Sequence, residues 1–491
     1  VDTQKEIIFG SSDPNVSRVL SKKEKGGELR KLAPRIYTTN LIDSPENIVR
    51  RNLIEILAYR YPNALISHRS AKELRPTSTG DFFLTYSTTR RVTDLPGIIL
   101  NFVKGPMATA KDIPFMGMHI SGEHRYMLEN MQLSRKSGDE SRVLPIAVIE
   151  NKLEQLLLTG GEDRLNKYRD ELREVATELG MTAEFAKINN IISALLSTHD
   201  AKVLSTDSAK ARAVGNPFDA NRVELFEILF DSIKDRYFVI RNNRNTDEDS
   251  FRLFSFFESY FSNYIEGTEF DIEEAKEIVD SGIPMPRRDE DSHDILGTFK
   301  ILSNRAEMIR VPTSPEELFA ILSHRHTILL EGRPHMNPGV FKMKNNRAGQ
   351  TEFVDYQLVK GTLSQGFKYY SALTDPFARA IFMMFMISEV HPFNDGNGRI
   401  ARVMMNAEFV RADQSRIIVP TVFREDYILA LRKLTRHKDP MAYINVMTKL
   451  HQFSDNLYGT DFTELKNYLA ACNAYEEPSQ AKLQIIDRSI I

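Results

Sequence analysis

Only one cysteine, Cys472, occurs in 491 residues. That excludes an internal disulfide framework and a cysteine-based zinc cage. A reducing compartment suits such a chain, so a cytoplasmic location is expected. No run of apolar residues approaches the roughly 18 needed to cross a bilayer, and no membrane contact is expected. The opening VDTQKEIIFG lacks the charged-then-apolar pattern of a secretory signal. Residue 1 is not methionine, so the natural start is expected upstream. Neither sign of charge dominates: Lys+Arg total 64 against 67 Asp+Glu, a net −3. The whole chain is therefore no polybasic nucleic-acid coat, although local patches are not excluded. A Walker lysine motif is absent, which excludes a P-loop nucleotide site. No Ser-His-Asp set, fixed-period repeat or low-complexity tract stands out.

What is present is ordinary globular material, 42% hydrophobic and 27% charged. At about 150 residues per domain, such a chain suggests roughly three units. Residues 1–125 read as mixed α/β. NVSRVLSKKEKGGELRKLAPRIYTT predicts helix, glycine turn, helix, strand. PENIVRRNLIEILAYRYPNAL predicts one helix of about three or four turns. DFFLTYS and GIILNFV read as strands. Residues 1–105 hold 17 basic and 11 acidic side chains, a net +6, leaving −9 for the remainder. Residues 126–218 read as a charged, helical connecting region, with VGNPFD at 214–219 as a boundary. From 219 to 476 the pattern is again helical, interrupted by PGVFKMKNNRAGQTEFV at 338–354, where Asn345, Asn346 and Gly349 predict a hairpin turn. The expected fold class is thus mainly α, with a small β-hairpin and an N-terminal α/β domain.

The chemically informative stretch is His391-Pro-Phe-Asn-Asp-Gly-Asn-Gly-Arg-Ile-Ala-Arg402. It lies between the apolar helix DPFARAIFMMFMISEV and a second helix starting near Gly398. Gly396 and Gly398 flank Asn397, so backbone N–H groups can converge as an anion nest at a helix start. Arg399 and Arg402 are three apart and share a helix face, which suits guanidinium forks on a polyphosphate. Asp395 is a hard oxygen ligand able to hold Mg²⁺ against phosphates. His391, at the end of the apolar helix, has the pKa range to take a proton from a hydroxyl. Phe393 is expected to anchor the loop in the core. Nine specified positions match by chance on the order of once in 10⁹.

This stretch resembles the signature of the Fic (Fido) family, His-x-Phe-x-Asp/Glu-Gly-Asn-Gly-Arg-x-x-Arg, with no departure. The resemblance implies transfer of AMP from ATP to a Ser, Thr or Tyr hydroxyl of a protein, with ATP and Mg²⁺ required. It implies His391 as general base, Asp395 as metal ligand, and Gly396, Asn397 and Gly398 as the nest. It further implies Phe393, Asn394, Arg399 and Arg402 on the nucleotide side, with Arg402 at the γ-phosphate and Tyr427 beside the adenine. The Fic resemblance spans about 219–476, with a core at 314–456. Its upstream part, GRPHMNPGVFKMKNNRAGQTEFV, resembles the segment leading into the family's flap. A protein substrate is expected to dock there as a strand, on 342–354.

Ser262-Asn-Tyr-Ile-Glu266-Gly267 closes a Phe-rich helix expected at 249–267. Ser262 and Glu266 share a face, and Gly267 suits a helix end. The hexapeptide resembles the inhibitory motif Ser/Thr-x-x-x-Glu-Gly/Asn of autoinhibited Fic proteins. The implied role is electrostatic: Glu266 pairs with Arg402 and places negative charge where a γ-phosphate should sit. Ile149-Glu150-Asn151 lacks Ser or Thr four positions before its glutamate and is discarded. His324 and His326 are two apart and diverge on a helix, a poor metal pair. Removal of AMP from a modified protein, with Glu266 orienting a water, is the rival chemistry.

Residues 15–105 resemble, more loosely, a winged-helix antitoxin-type domain of the AbiEi class, through SRVLSKKEKGGELRKLAPRIYTT, ALISHRSAKELRPT and DFFLTYSTTRRVTDLPGIIL. That implies a DNA contact, helped by Arg90-Arg91; the alternative is a scaffold or protein-binding module. A DNA-binding regulator whose Fic part senses nucleotide is therefore a further reading. Self-association is compatible with all of these.

Overall fold

Helix punctuation in the sequence is strong, and it shapes two units, Val1–Val214 and Gly215–Ile491, in a computed structural model. Residues 5–349 and 351–488 are described; Gln350, inside the expected flap, lies outside them.

The first unit begins with β1 (Ile7–Phe9), α1 (Pro14–Lys25), β2 (Arg30–Ala33) and β3 (Ile36–Thr38). Asp13 caps α1 through a 2.8 Å bond from the Asn15 N–H, and Pro14 presets its first turn. Gly27, at φ 75°, follows the helix. The expected second helix is instead β2, which pairs antiparallel with the expected strand β3, and the two join β1 in the order β1-β3-β2. Pro34 supplies no N–H for a helix, and Arg35 turns the chain at φ 62°. Next come α2 (Pro45–Arg51) and α3 (Leu53–Arg60), where a single helix is expected. The break falls at Asn52, whose side-chain amide donates to Ile48 O (2.9 Å) and to Glu6 (2.7 Å). Side-chain competition of that kind loosens a helix interior.

β4 (Leu65–Ile66), α4 (His68–Glu73), β5 (Asp81–Tyr86), β6 (Arg90–Leu95), β7 (Ile98–Lys104), β8 (Ile113–Phe115) and β9 (Met118–Ile120) follow. They build a mixed six-stranded sheet, order β6-β7-β5-β4-β9-β8, with β5 parallel to β7 and β4 parallel to β9. β6 is an edge strand. Helices α5 (Glu123–Glu129), α6 (Ile146–Leu179), α7 (Thr182–Leu195) and α8 (Asp207–Ala213) complete the unit. Ile149, Leu153, Leu165 and Ile191 share one apolar core with Leu57, Ile66, Leu84 and Phe102. The helices between 126 and 213 are therefore part of the first unit's core rather than a connector.

The second unit is helical: α9 (Ala220–Ile233), α10 (Glu248–Ile265), α11 (Ile272–Ser281), α12 (Asp289–Leu302), α13 (Arg305–Met308) and α14 (Pro315–Leu329). The short hairpin β10 (Arg347–Ala348) and β11 (Thr351–Glu352) follows. Then come α15 (Val359–Ala372), α16 (Pro376–Val390), α17 (Asn397–Arg411), α18 (Arg424–His437), α19 (Pro440–Ser454) and α20 (Phe462–Ala471). α16 is apolar on all sides, and Ala380 through Ile387 are fully buried, so it runs through the core. At roughly 1.5–3 kcal/mol per buried Phe, Met or Ile, α16 and its partner α17 fix the central framework on which the loop between them rests. The chain is mainly α, with the β structure concentrated in the first unit. Among the described residues no helix is long and apolar enough to cross a membrane.

Candidate active site

Pro392 decides how α16 ends. A residue before proline is pushed out of the right-handed helical region, and His391 takes the left-handed one at φ 52°. Its N–H still closes the helix on Ile387 O at 2.9 Å. Non-glycine residues in this region cost on the order of 1 kcal/mol or more; the result here is a ring turned off the helix end. Asn397 braces the loop that follows: its Oδ1 accepts from the Phe393 N–H (2.8 Å) and its Nδ2 donates to Phe393 O (2.9 Å). Phe393 is fully buried and stacks on His326 with ring centres 3.7 Å apart. His326 Nδ1 accepts from the Gly339 N–H (2.9 Å), so the ring proton sits on Nε2, which donates to Asp395 O (3.0 Å). Burial lowers its pKa to about 4 and keeps it neutral. At Gly396, φ is 71° and a side-chain carbon would stand 3.0 Å from Leu329 Cδ2, so only glycine fits.

The start of α17 faces a cavity of about 250 Å³ walled by His391, Gly398, Arg402, Tyr427 and Glu266, with Thr351 and Phe353 of the hairpin segment. Small-molecule pockets more often enclose roughly 300–1,000 Å³. Glu266 takes up part of the space. Its Oε1 accepts from Arg402 Nη2 at 2.8 Å and lies so close to Gly398 that a side-chain carbon there would stand 2.1 Å away. The carboxylate therefore sits on the positive end of α17. Arg402 is further held by Ser262, donating to its Oγ (3.0 Å) and its carbonyl (2.8 Å). Burial pushes the Arg402 pKa down, but Glu266 and Tyr427 outweigh it and the net direction is up. Tyr427 is buried, and its hydroxyl reaches Met384 Sδ at 3.7 Å. His391 stacks face to face on Phe353, ring centres 3.6 Å apart. Burial lowers the His391 pKa to about 4. Its Nδ1 is 3.3 Å from Ser388 O; a carbonyl only accepts, so Nδ1 carries the proton and the Nε2 lone pair is free.

The remaining candidates do not line this cavity. Arg399 is aimed at Asp294 (2.8 Å) and Asn263 (3.4 Å) in a buried pair and does not line the cavity. Asp294, itself bonded to Arg333 at 2.7 Å, satisfies the charge that the shared-face argument gave to phosphate. Asn394 is exposed and donates weakly to Met336 O at 3.4 Å. Asp395 is half-exposed, 3.6 Å from Arg399. Mg²⁺ commonly uses one or two carboxylates together with substrate phosphates. Asp395 fits that requirement, whereas no group of three or more His, Cys, Asp and Glu among the described residues could hold an ion unaided. Gly267, at φ 94°, releases the chain after α10.

Several side chains that shape the site escaped sequence reasoning. Lys342, buried and shifted down to about 8 by that burial, donates to Asn346 Oδ1 (2.7 Å); Asn346 in turn donates to Phe393 O (2.9 Å). Arg222 of α9 bridges Glu389 (2.6 Å) and Glu352 O (2.6 Å), tying β11 to the helix that ends at His391. Of the three turn candidates only Gly349, at φ 58°, is in the turn. Asn345 and Asn346 anchor the hairpin base, Asn345 through Asp355 and the Tyr356 N–H (both 2.9 Å). His324 is exposed and His326 buried, so they form no metal pair. The stripe Leu318, Leu322, His326, Leu329 on α14 was the available signal for His326.

Residues 314–408, which hold α14 through the first three turns of α17, match the model of the Fic/DOC family. The chain carries a Fic domain. Around it, the chain is 25% identical over 214 residues to the protein adenylyltransferase Fic of Nematostella vectensis, covering 40% of this chain and 47% of that protein. It is 30% identical over 115 residues to the protein adenylyltransferase fic-1 of Caenorhabditis elegans, covering 23% and 22%. The chain thus spans less than half the length of these relatives. The solved structure of residues 134–508 of C. elegans Fic-1 overlaps 67% of this chain and 92% of its own, at 16% identity and a TM-score of 0.36.

Proposed function

We propose that the Fic domain is an autoinhibited protein adenylyltransferase, moving AMP from ATP to a hydroxyl of a protein target or of itself. One observation carries the reading: Glu266 sits on the α17 N-terminus and on Arg402, inside the cavity that His391 faces. A polyphosphate needs those same positive groups. With the carboxylate in place, a terminal phosphate meets like charge and loses its guanidinium partner.

In the released state His391 Nε2 takes the proton of the target hydroxyl. The oxygen attacks the α-phosphorus, the bond to the β-phosphate oxygen breaks, and pyrophosphate leaves. Arg402 and the backbone N–H groups opening α17 hold the phosphate charge. Mg²⁺ held by Asp395 would offset charge on the phosphates. Tyr427 and the apolar face of α18, Ile428 and Leu431, provide the wall for the base. An extended target segment lies against the β10–β11 hairpin, which brings its hydroxyl toward His391.

Incubation with labelled ATP, UTP and GTP tests this. Glu266→Gly is expected to raise self-labelling from ATP at least tenfold, and Glu266→Gly with His391→Ala to abolish it. Equal labelling of wild type and Glu266→Gly removes the inhibitory role. Labelling that survives His391→Ala removes the base. Adding AMP-labelled protein to wild type separates transfer from removal.

A further inference from the structure

The turn that carries Glu266 is gripped from two sides. At about 100° per residue, Ser262 and Glu266 fall on one face of the end of α10, while Tyr260, Phe261 and Tyr264 fall on the other. The first face meets α17 through Arg402, 2.8 Å from Glu266. The second meets a segment that the transfer reaction does not use, the chain after α20. Tyr475 stacks on Phe261 with ring centres 5.4 Å apart and stands edge-on to Tyr260 at 6.2 Å. Glu477 accepts from the Tyr264 hydroxyl at 3.2 Å. This segment is moored away from that turn. Phe462, which opens α20, stacks on Phe257 earlier in α10, ring centres 5.8 Å apart. Asn473, at φ 61°, turns the chain after α20, and its side-chain amide donates to Lys482 O at 3.0 Å. The Gln484 N–H donates to Cys472 O (3.1 Å), and the Tyr468 hydroxyl donates to Ile486 O (2.7 Å). Tyr475 and Glu477 are therefore held in place without help from Glu266.

The end of α10 is weakly closed by its own backbone. The Glu266 N–H reaches Asn263 O (3.0 Å) and the Gly267 N–H reaches Tyr264 O (3.1 Å), both three residues back. Bonds of that reach have poorer geometry than the α-helical kind, and helix ends fray. Glu266 itself is half-exposed, and its carboxylate has one hydrogen-bond partner among the described residues, Arg402. Fraying carries that carboxylate off Arg402 and off the start of α17. What grips the far face of the turn thus sets how often Glu266 is in place. The Tyr475 ring grips it, whereas the Tyr475 hydroxyl is buried with no hydrogen-bond partner among the described residues. A buried unpaired hydroxyl is unfavourable, so the ring holds the contact and the hydroxyl opposes it. We propose that Tyr475 and Glu477 are positioning residues for autoinhibition: they keep the last turn of α10 wound, and loosening them frees Arg402 for a phosphate. This rests on the autoinhibited reading of Glu266 and names the segment through which inhibition is released.

The test joins amide exchange to self-labelling, both on the full chain. Glu477 is exposed, so Glu477→Ala leaves the fold intact and should quicken exchange over 262–268 about threefold. Tyr475→Ala with Glu477→Ala should quicken it about tenfold, while 252–258 stays within about twofold of wild type. Tyr475→Phe keeps the ring and deletes the unpaired hydroxyl, so exchange there should slow or stay as it is. From labelled ATP with Mg²⁺, the double variant should label itself about fivefold faster than wild type, and Tyr475→Phe no faster. In a Glu266→Gly background the same substitutions should leave the rate within about twofold, because no inhibitory carboxylate remains to be positioned. Unchanged exchange over 262–268 in both alanine variants would overturn the proposal. So would exchange that quickens equally along all of α10, labelling by Tyr475→Phe as fast as by the double variant, or an equal rise in the Glu266→Gly background. If Glu266→Gly itself takes no label, the adenylyltransferase reading falls instead, and exchange alone decides whether the turn is braced.

Discussion

His391 joins two demands that pull against each other. A general base must be neutral and reachable, yet its ring is pressed flat on Phe353 and half-buried. Burial lowers the pKa to about 4 against 6.5 for a free imidazole. Neutral imidazole is the working form, so the rate follows the neutral fraction. Activity of Glu266→Gly should hold steady as pH falls from 8 to about 5.5 and drop only as pH approaches about 4. Glu266 favours the protonated ring, so its removal does not shift that limb upward. Phe353→Ala exposes the ring and should move the limb toward about 6.5. Initial rates of self-labelling across this range decide it. A limb at about 6.5 in both variants would show that the stacking does not control the base.

At the scale of elements, the hairpin is held by few and specific ties. Arg222 reaches from α9 to Glu389 and to the β11 backbone, and Arg436 donates to Thr351 Oγ1 at 3.1 Å. Removing Arg222 alone would leave Glu389 buried and unpaired, a cost of roughly 3–5 kcal/mol. Arg222→Met with Glu389→Gln avoids that and still cuts the tie to β11. Two charge-assisted bonds, each about 1.5–3 kcal/mol, are lost with it. Amide exchange over 344–353 should then quicken at least tenfold, while affinity for a non-hydrolysable ATP analogue, measured in a Glu266→Gly background, stays within about twofold. Unaltered exchange would mean the hairpin is held by other contacts. These ties also explain what could be read from the chain beforehand. That His391 and Gly398 would meet at one loop was legible because a helix end and a glycine act locally, whereas the pairing of Glu266 with Arg402, 136 residues apart, was implied only by the resemblance to the inhibitory motif. Arg399 was misplaced because its partner, Asp294, lies more than a hundred residues away, and helical spacing gives a face without naming what it meets. Arg222 carried no local mark at all. Strand β2 and the α2–α3 break were missed for a related reason: Pro34 and Asn52 each outweighed an apolar pattern that by itself suits a helix.

For the whole molecule, the division at Val214 and Gly215 matters more than the count of domains. Among the described residues, the main apolar core of the first unit runs from Ile7 to Ala209. Separate cores license separate unfolding. Calorimetry of the full chain should show two transitions, and ligands should sort them. In the Glu266→Gly variant, a non-hydrolysable ATP analogue at about 100 times its Kd stabilises only the unit it binds, by about 2.7 kcal/mol. That transition should rise by several degrees while the other stays put. A single transition that moves as one body with the analogue would mean the two units unfold as a thermodynamically coupled whole.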